Sequence, residues 1–448
     1  MVPLKLRCLK AEAARAKMKI TCIAHACLLI EAGGKKILTD PWILGPSWGG
    51  NLWVYPPAKA VPEDFHDVDV IYFSHAHEDH FQRECVARLP QITKEKAKVL
   101  IPDFGMPYFE KAVKKSGFAN VHVMQHEDVV DLAEGVRAHM QINDQGDHDS
   151  ALILEADQST LLLQTDSVVS IDEAERLGQK FDIDLLFAIT ILTGIYPAFC
   201  DMPAEQVITR AQAKRERSIA YALDVTRAMK AKAVVPYASD LCYLGNLYHI
   251  NALHHHDKAA FLTEVAEKLP TTEGIRMTPG DWLKLEGGRV VARSLSDADE
   301  RAEKLATFAI AMQARYERSW REEHSRTTPP FGTLVENLSD ALSKAGKGWP
   351  HAPYRVLWRV QDADGNRRNI GHVAGALAEI TEDDAWSYDL RIDVPAFRLR
   401  RLAHGDYPMG FLTLQNGGLR FHRHEDELTP SERAYWQTLL RLRIPVQV

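Results

Sequence analysis

Apolar and polar positions alternate from Lys19 to Glu31 with the period of two of a half-buried strand. The run Lys35–Thr39 resumes that pattern beyond Gly33-Gly34, a pair suited to a tight hairpin turn. Short apolar runs at Val68–Phe73, Lys98–Ile101, Val121–Met124, Val136–Ile142, Ala151–Glu155, Thr160–Thr165 and Ala233–Val235 read as further strands. Helical spacing covers 84–90 and 105–116, where Gly117 marks a stop, and the long stretch 204–232, rich in Ala, Arg, Lys and Gln. A helix running through Lys268 opens on three consecutive histidines, His254-His255-His256. After Arg289 the composition shifts: Asp297 to His324 is charged and helical, and Thr327-Thr328-Pro329-Pro330 is a break. Strands at Arg355–Val360 and Tyr388–Ile392, with terminal helices, suggest an α+β module whose role is packing on the preceding domain or forming an oligomer. The pattern divides the chain into a tail (1–18), a main domain (19–295) and a C-terminal module (296–448).

Composition narrows the class. The chain has 448 residues, 46% hydrophobic and 26% charged, as in an ordinary globular protein, and length alone leads one to expect two or three domains. A formal charge of −7 without a basic run argues against a nucleic-acid partner. No apolar run approaches the roughly 18 residues of a membrane span. Nor does the N-terminus carry the apolar core of a signal peptide. Cys8, Cys22, Cys27, Cys85, Cys200 and Cys242 are scattered without paired spacing and read as reduced thiols, so the expected location is cytoplasmic.

The chemistry concentrates in Asp67–Phe81. A buried strand runs into His75, His77, Asp79 and His80, four potential ligands within six residues. His75 and His77 share a face by the period of two, and Asp79 and His80 follow as the chain turns. Imidazole with carboxylate suits Zn, Fe or Mn. His25, in the first strand region, reads as a structural histidine, with a supporting place behind a ligand as the alternative. Gly45 to Trp53, rich in Gly and aromatics, is too irregular for a strand and reads as a substrate-side wall or a buried structural loop.

The His75-x-His77-x-Asp79-His80 run resembles the signature of the metallo-β-lactamase fold. The resemblance implies an α/β protein, an αββα sandwich with one or two metal ions at the sheet edge, here followed by the α+β module. It implies that His75 and His77 bind one metal, and Asp79 and His80 the other. Asp40, at a strand end before Pro41, would be hydrogen-bonded to a ligand. Asp147 and His148 are the candidates for the third motif, with Asp149 as ligand or turn residue. Asp166 takes the place of the metal-bridging carboxylate. His249 is the choice for the last ligand, with His254 as the alternative. Asp79 and Asp166 are the residues expected at the chemical step.

A closer resemblance lies in Leu38-Thr39-Asp40-Pro41-Trp42, Gly45-Pro46, Ser74–His80 and Pro236-Tyr237-Ala238. These are similar to the catalytic part of the CMP-N-acetylneuraminate hydroxylase family. That family carries a Rieske iron–sulfur domain, which needs two Cys and two His in paired spacing; no such spacing occurs in this sequence. The function implied is a non-haem diiron oxygenase acting on a small polar metabolite. It would use two Fe ions, O₂ and an external reductant. The alternative is a Zn- or Mn-dependent hydrolase of an ester, amide or phosphodiester. His422 and His424, alternating near the C-terminus, read as surface residues.

Overall fold

The computed structural model describes residues 18–47, 50–105, 107–144, 149–190, 197–198, 200–253, 258–296, 301–325, 329–346, 354–362, 364–373, 376–380, 387–396, 399 and 420–423. The first strands are β1 (Met18–Ala24), β2 (Cys27–Ala32), β3 (Lys35–Thr39), β4 (Leu52–Val54), β5 (Val70–Tyr72), β6 (Lys98–Pro102) and β7 (Asn120–Met124). The next set is β8 (Val129–Ala133), β9 (Val136–Ile142), β10 (Ser150–Ala156), β11 (Ser159–Leu163), β12 (Leu185–Ile189), β13 (Ala233–Tyr237), β14 (Leu241–Tyr243), β15 (Glu273–Gly274), β16 (Trp282–Glu286) and β17 (Arg289–Ser294). One sheet has the order β17-β16-β1-β2-β3-β5-β6-β7, and the other β15-β13-β12-β11-β10-β9-β8.

The two sheets face each other across one apolar layer, in which Ile20, Leu28, Ile37 and Leu100 of the first meet Met140, Leu152, Leu163 and Phe187 of the second. Helices cover both outer faces. The first carries α1 (Arg83–Arg88), α2 (Gln91–Lys96) and α3 (Pro107–Lys115), with Cys85, Phe109 and Val113 turned inward. The second carries α4 (Ile171–Lys180), α5 (Ala204–Ala228) and α6 (Lys258–Lys268), which pack Leu177, Leu223 and Phe261 on Ile153, Leu162 and Val234. Strands β10 to β12 are buried at almost every position because each has a sheet on one side and helices on the other. This is the αββα sandwich.

Beyond it run α7 (Arg301–Ser325) and α8 (Phe331–Gly346), then β18 (Arg355–Gln361), β19 (Arg367–Val373), β20 (Ala376–Ile380), β21 (Leu390–Pro395) and β22 (Arg420–Arg423), which form a five-stranded sheet. Leu334 and Leu338 of α8, Trp358 and Phe421 belong to the same apolar cluster as Phe73 and Phe109. The C-terminal sheet therefore shares core with the sandwich. His422 is not a surface residue: its side chain is 16% exposed, with Nδ1 2.8 Å from Asp201 Oδ2 and Nε2 2.9 Å from Asp393 Oδ2. Alternation at a sheet edge does not reveal that the edge is covered by another part of the chain. His424 lies outside the described residues.

The single strand expected over Lys19–Glu31 is two, because the chain reverses at His25-Ala26. His25 has φ +41°, and the β1–β2 register slips between Cys22 and Ala24. Hydrophobic periodicity continues unbroken across such a corner and cannot mark it. The hairpin at Gly33-Gly34 is present, with φ of +53° and +74°, values that glycine adopts without steric cost. The Gly-aromatic loop includes the short strand β4, paired with β14, contrary to its irregular look in sequence. Its described part is buried, with Ser47, Asn51 and Trp53 3%, 1% and 1% exposed, and a Cβ on Gly45 would meet the Trp53 ring at 2.7 Å; Trp48 and Gly49 lie outside the described residues.

Candidate metal centre

Side-by-side register brings the site together. Strands β3 and β5 are parallel, with Thr39 opposite Tyr72. Their continuations Asp40 and Ser74 therefore leave the sheet as neighbours, at the C-terminal ends of the strands where α/β proteins place their sites. Ser74 N donates to Asp40 Oδ1 (2.8 Å) and Ser74 Oγ to Asp40 Oδ2 (2.7 Å). From the facing sheet, Ser150 Oγ donates to Ser74 O (2.7 Å), and Tyr72 Oη donates to Ser150 Oγ (2.8 Å). Thr165 Oγ1, just before Asp166, donates to Ser150 O (2.5 Å). The loops bearing His75 and Asp166 are thus tied to each other across the sandwich.

This network also sets the histidine tautomers. His80 Nδ1 lies 2.9 Å from Asp40 Oδ2, so that nitrogen carries the proton, and Nε2 is directed away from the aspartate. Ser74 Oγ gives its own proton to Asp40 and accepts from His75 Nδ1 (2.9 Å), which leaves His75 Nε2 as a lone-pair donor. Behind them, Phe81 packs edge-on against Phe73 and Phe109 (ring centroids 5.0 and 5.7 Å) and holds the turn in place.

Among the described residues, ligand-type atoms fall into two groups, each with its members within 4.8 Å of one another: His75, His77 and Asp166, and His25, Asp79 and His80. Asp166 lies between them, with Oδ2 3.5 Å from His80 Nε2 and 4.0 Å from His75 Nε2. Asp149 joins the first group, its Oδ1 3.4 Å from His75 Nε2. Asp147 and His148 lie outside the described residues, as does His254. His249 is brought into neither group. It is exposed on the 3-10 segment Gly245–Ala252, on the wall of a cavity of about 710 Å³ that it shares with α5. His25, read from sequence as a structural histidine, is instead in the inner group. A histidine at a hairpin corner is the signal that could have marked it, and the unbroken alternation concealed the corner.

The donor set fits metal ions. Four buried ring nitrogens, His25 Nδ1, His25 Nε2, His75 Nε2 and His80 Nε2, have no hydrogen-bond partner among the described residues. An unmet buried polar atom costs about 1–3 kcal/mol, and such groups in a native protein call for an explanation such as an ion. Burial, reinforced by the neighbouring His80 and His77, holds His75 well below the ordinary imidazole pKa. Burial likewise lowers His25, to about 3. Both rings are therefore neutral donors. His80 goes the other way: burial opposes its charge, but Asp166 and Asp40 raise it well above the ordinary value. Asp166 is lowered by the same pairing, against the pull of burial. Without metal, a proton on His80 takes up the negative charge that a cation would neutralise, and binding the cation displaces it.

Residues 19–188 match the model described as "Lactamase_B_3: Beta-lactamase superfamily domain". This stretch is a β-lactamase superfamily domain. A putative Rieske 2Fe-2S iron-sulfur protein of Mycolicibacterium smegmatis is 28% identical over 241 residues, 51% of this chain and 44% of that protein. The cytidine monophosphate-N-acetylneuraminic acid hydroxylase of Mus musculus is 29% identical over 115 residues, 25% of this chain and 20% of that one. The matched region thus spans less than half the length of these curated relatives. Among solved structures, Igni18, a metallo hydrolase from Ignicoccus hospitalis, aligns at 17% identity with a TM-score of 0.41, covering 60% of this chain and 99% of that one. Among the described residues no helix is long and apolar enough to cross a membrane.

Proposed function

We propose that the chain is a dinuclear-metal enzyme that uses O₂ to oxidise a small polar metabolite, with iron as its metal. The observation that carries the metal reading is the gathering of buried ring nitrogens of His25, His75 and His80, without a hydrogen-bond partner among the described residues, beside Asp79 and Asp166 at one sheet edge. His75, His77, Asp149 and Asp166 would hold one ion, and Asp79 and His80 the other, with Asp166 facing both. A pair of iron ions held there supplies the redox chemistry that O₂ activation needs. The chain's own part is to orient the donors and to keep His25 and His75 neutral: Asp40 and Ser74 fix the rings of His80 and His75, and Asp166 balances the charge. His77, Asp149 and Asp166 are the half-buried members of the site, so substrate approaches from their side. The preference for oxidation rests on relatives named as Rieske proteins and hydroxylases. The reductant is a separate protein, a small molecule or the substrate itself.

A second reading is a zinc- or manganese-dependent hydrolase of an ester, amide or phosphodiester. The preponderance of imidazole over carboxylate in the two groups favours it, since zinc takes such donors readily. Anaerobically reduced, iron-loaded protein separates the two. An oxygenase changes its near-UV absorbance on exposure to O₂ and, with substrate, consumes O₂ and two reducing equivalents per ordinary monooxygenation. Inertness of the iron form, with generic ester or phosphodiester hydrolysis by the zinc form, establishes the second reading in its place.

A further inference from the structure

His25 occupies a corner that a merely packing residue has no reason to occupy. Its φ of +41° lies in the left-handed region, which is costly for a residue with a Cβ. The corner is fixed from both sheets: Ala26 O accepts from Thr39 Oγ1 of β3 (2.7 Å) and from Tyr237 Oη of β13 (2.5 Å), and Leu28 N donates to Thr39 Oγ1 (2.9 Å). The ring so placed stands edge-on to Trp42 (5.1 Å between centroids) and to His80 (5.4 Å). It is 2% exposed, with both nitrogens lacking a hydrogen-bond partner among the described residues and Nε2 3.9 Å from Asp79 Oδ2. A phenyl ring would fill the same volume without two desolvated nitrogens. Backbone strain, burial and unmet donors together need a compensating contact, and the inner carboxylate and imidazole beside it supply the remaining donors for a cation.

We propose that His25 is a direct ligand of the inner metal ion, completing the set of Asp79 and His80 from the first hairpin. The late histidine His249 is then not required at the centre, consistent with its exposure on a surface turn. This inference rests on the metal-centre reading above and not on the choice between oxidation and hydrolysis. It also implies that the inner ion is enclosed by three donors buried to 8% exposure or less, within 24–80 of the chain, before any third-motif residue is reached.

The test is metal stoichiometry by mass spectrometry after cobalt or zinc loading and gel filtration, with the visible cobalt spectrum as a second readout. The unaltered protein retains two ions, His25→Ala retains one and loses part of the cobalt absorbance, and His249→Ala retains two. Two ions in natively folded His25→Ala overturn the inference while leaving the dinuclear reading intact. No bound ion in the unaltered protein overturns both. If His25→Ala does not fold, anomalous diffraction from the zinc-loaded unaltered protein decides. An ion about 2.0–2.1 Å from a His25 ring nitrogen, the usual Zn–N length, supports direct ligation. An inner ion well beyond that bonding distance refutes it.

Discussion

The inner and outer donor groups use the same residue types and differ in how the protein surrounds them. His25, Asp79 and His80 are 2%, 8% and 0% exposed. In the outer group His75 is just as deep, but His77 is half-buried and the Asp166 side chain is 22% exposed. The inner rings are also held from behind, His80 by Asp40 and His25 by the doubly anchored Ala26 corner. A pair of ions held there would divide two jobs between them. An enclosed ion is retained and keeps the geometry; an ion with an open flank can exchange ligands and meet a substrate.

The largest effect expected on that contrast comes from Asp166, whose carboxylate faces both groups. Asp166→Ala removes at least one ion per chain and abolishes turnover, while far-UV circular dichroism stays native. Its stability in the metal-free state also changes, because His80 loses the carboxylate that raises its proton affinity. Full activity with two ions retained would show that Asp166 only ends strand β11.

A smaller effect sharpens the inner half alone. Asp40 accepts from Ser74 N, Ser74 Oγ and His80 Nδ1. Asn cannot receive all three with one carbonyl oxygen, and its amide hydrogens oppose the remaining donors. Loss of an outer partner of a metal-bound histidine lowers metal affinity by about 10–100-fold. Competition with a chelating dye should therefore show one weakened site in Asp40→Asn. Equal weakening of both sites, or of neither, would remove the asymmetry argued here.

How legible all this was from sequence depends on the range of the interaction. The strand leading into His75 could be read because its pattern is local, and the same holds for β9, whose limits Val136–Ile142 match the expected run. The dense His75–His80 run also announces itself, since few other arrangements place four ligands in six residues. His25 and Asp149 are different. Their roles come from a corner with positive φ and from strand register across the sandwich, and neither leaves a periodic trace. Asp40 was legible only through resemblance, because nothing local distinguishes a buried acceptor from a turn aspartate. His422 was misread for a related reason: its partners Asp201 and Asp393 are remote in sequence.

The smallest effect concerns protons at the inner corner and is measured on metal-free protein. His25 has an ordinary imidazole pKa near 6.5 when unfolded and is pushed down to about 3 when folded, chiefly by burial. Between those values the unfolded state binds a proton that the folded state refuses. Stability therefore rises with pH across this window and is lost as pH falls from about 6.5 toward 3. The linkage amounts to about 2 kcal/mol between pH 7 and pH 5 as an upper bound. His25→Gln removes this contribution but leaves those of His75 and His80 in both proteins, where they largely cancel in the comparison. In chelator-treated samples, the urea midpoint of the unaltered protein should fall further between pH 7 and pH 5 than that of His25→Gln. Parallel midpoints would mean that the ring reaches solvent or a proton acceptor in the metal-free state. The inner group would then be no more enclosed than the outer one, and the contrast between a retaining and an exchanging site would fail at its deepest residue.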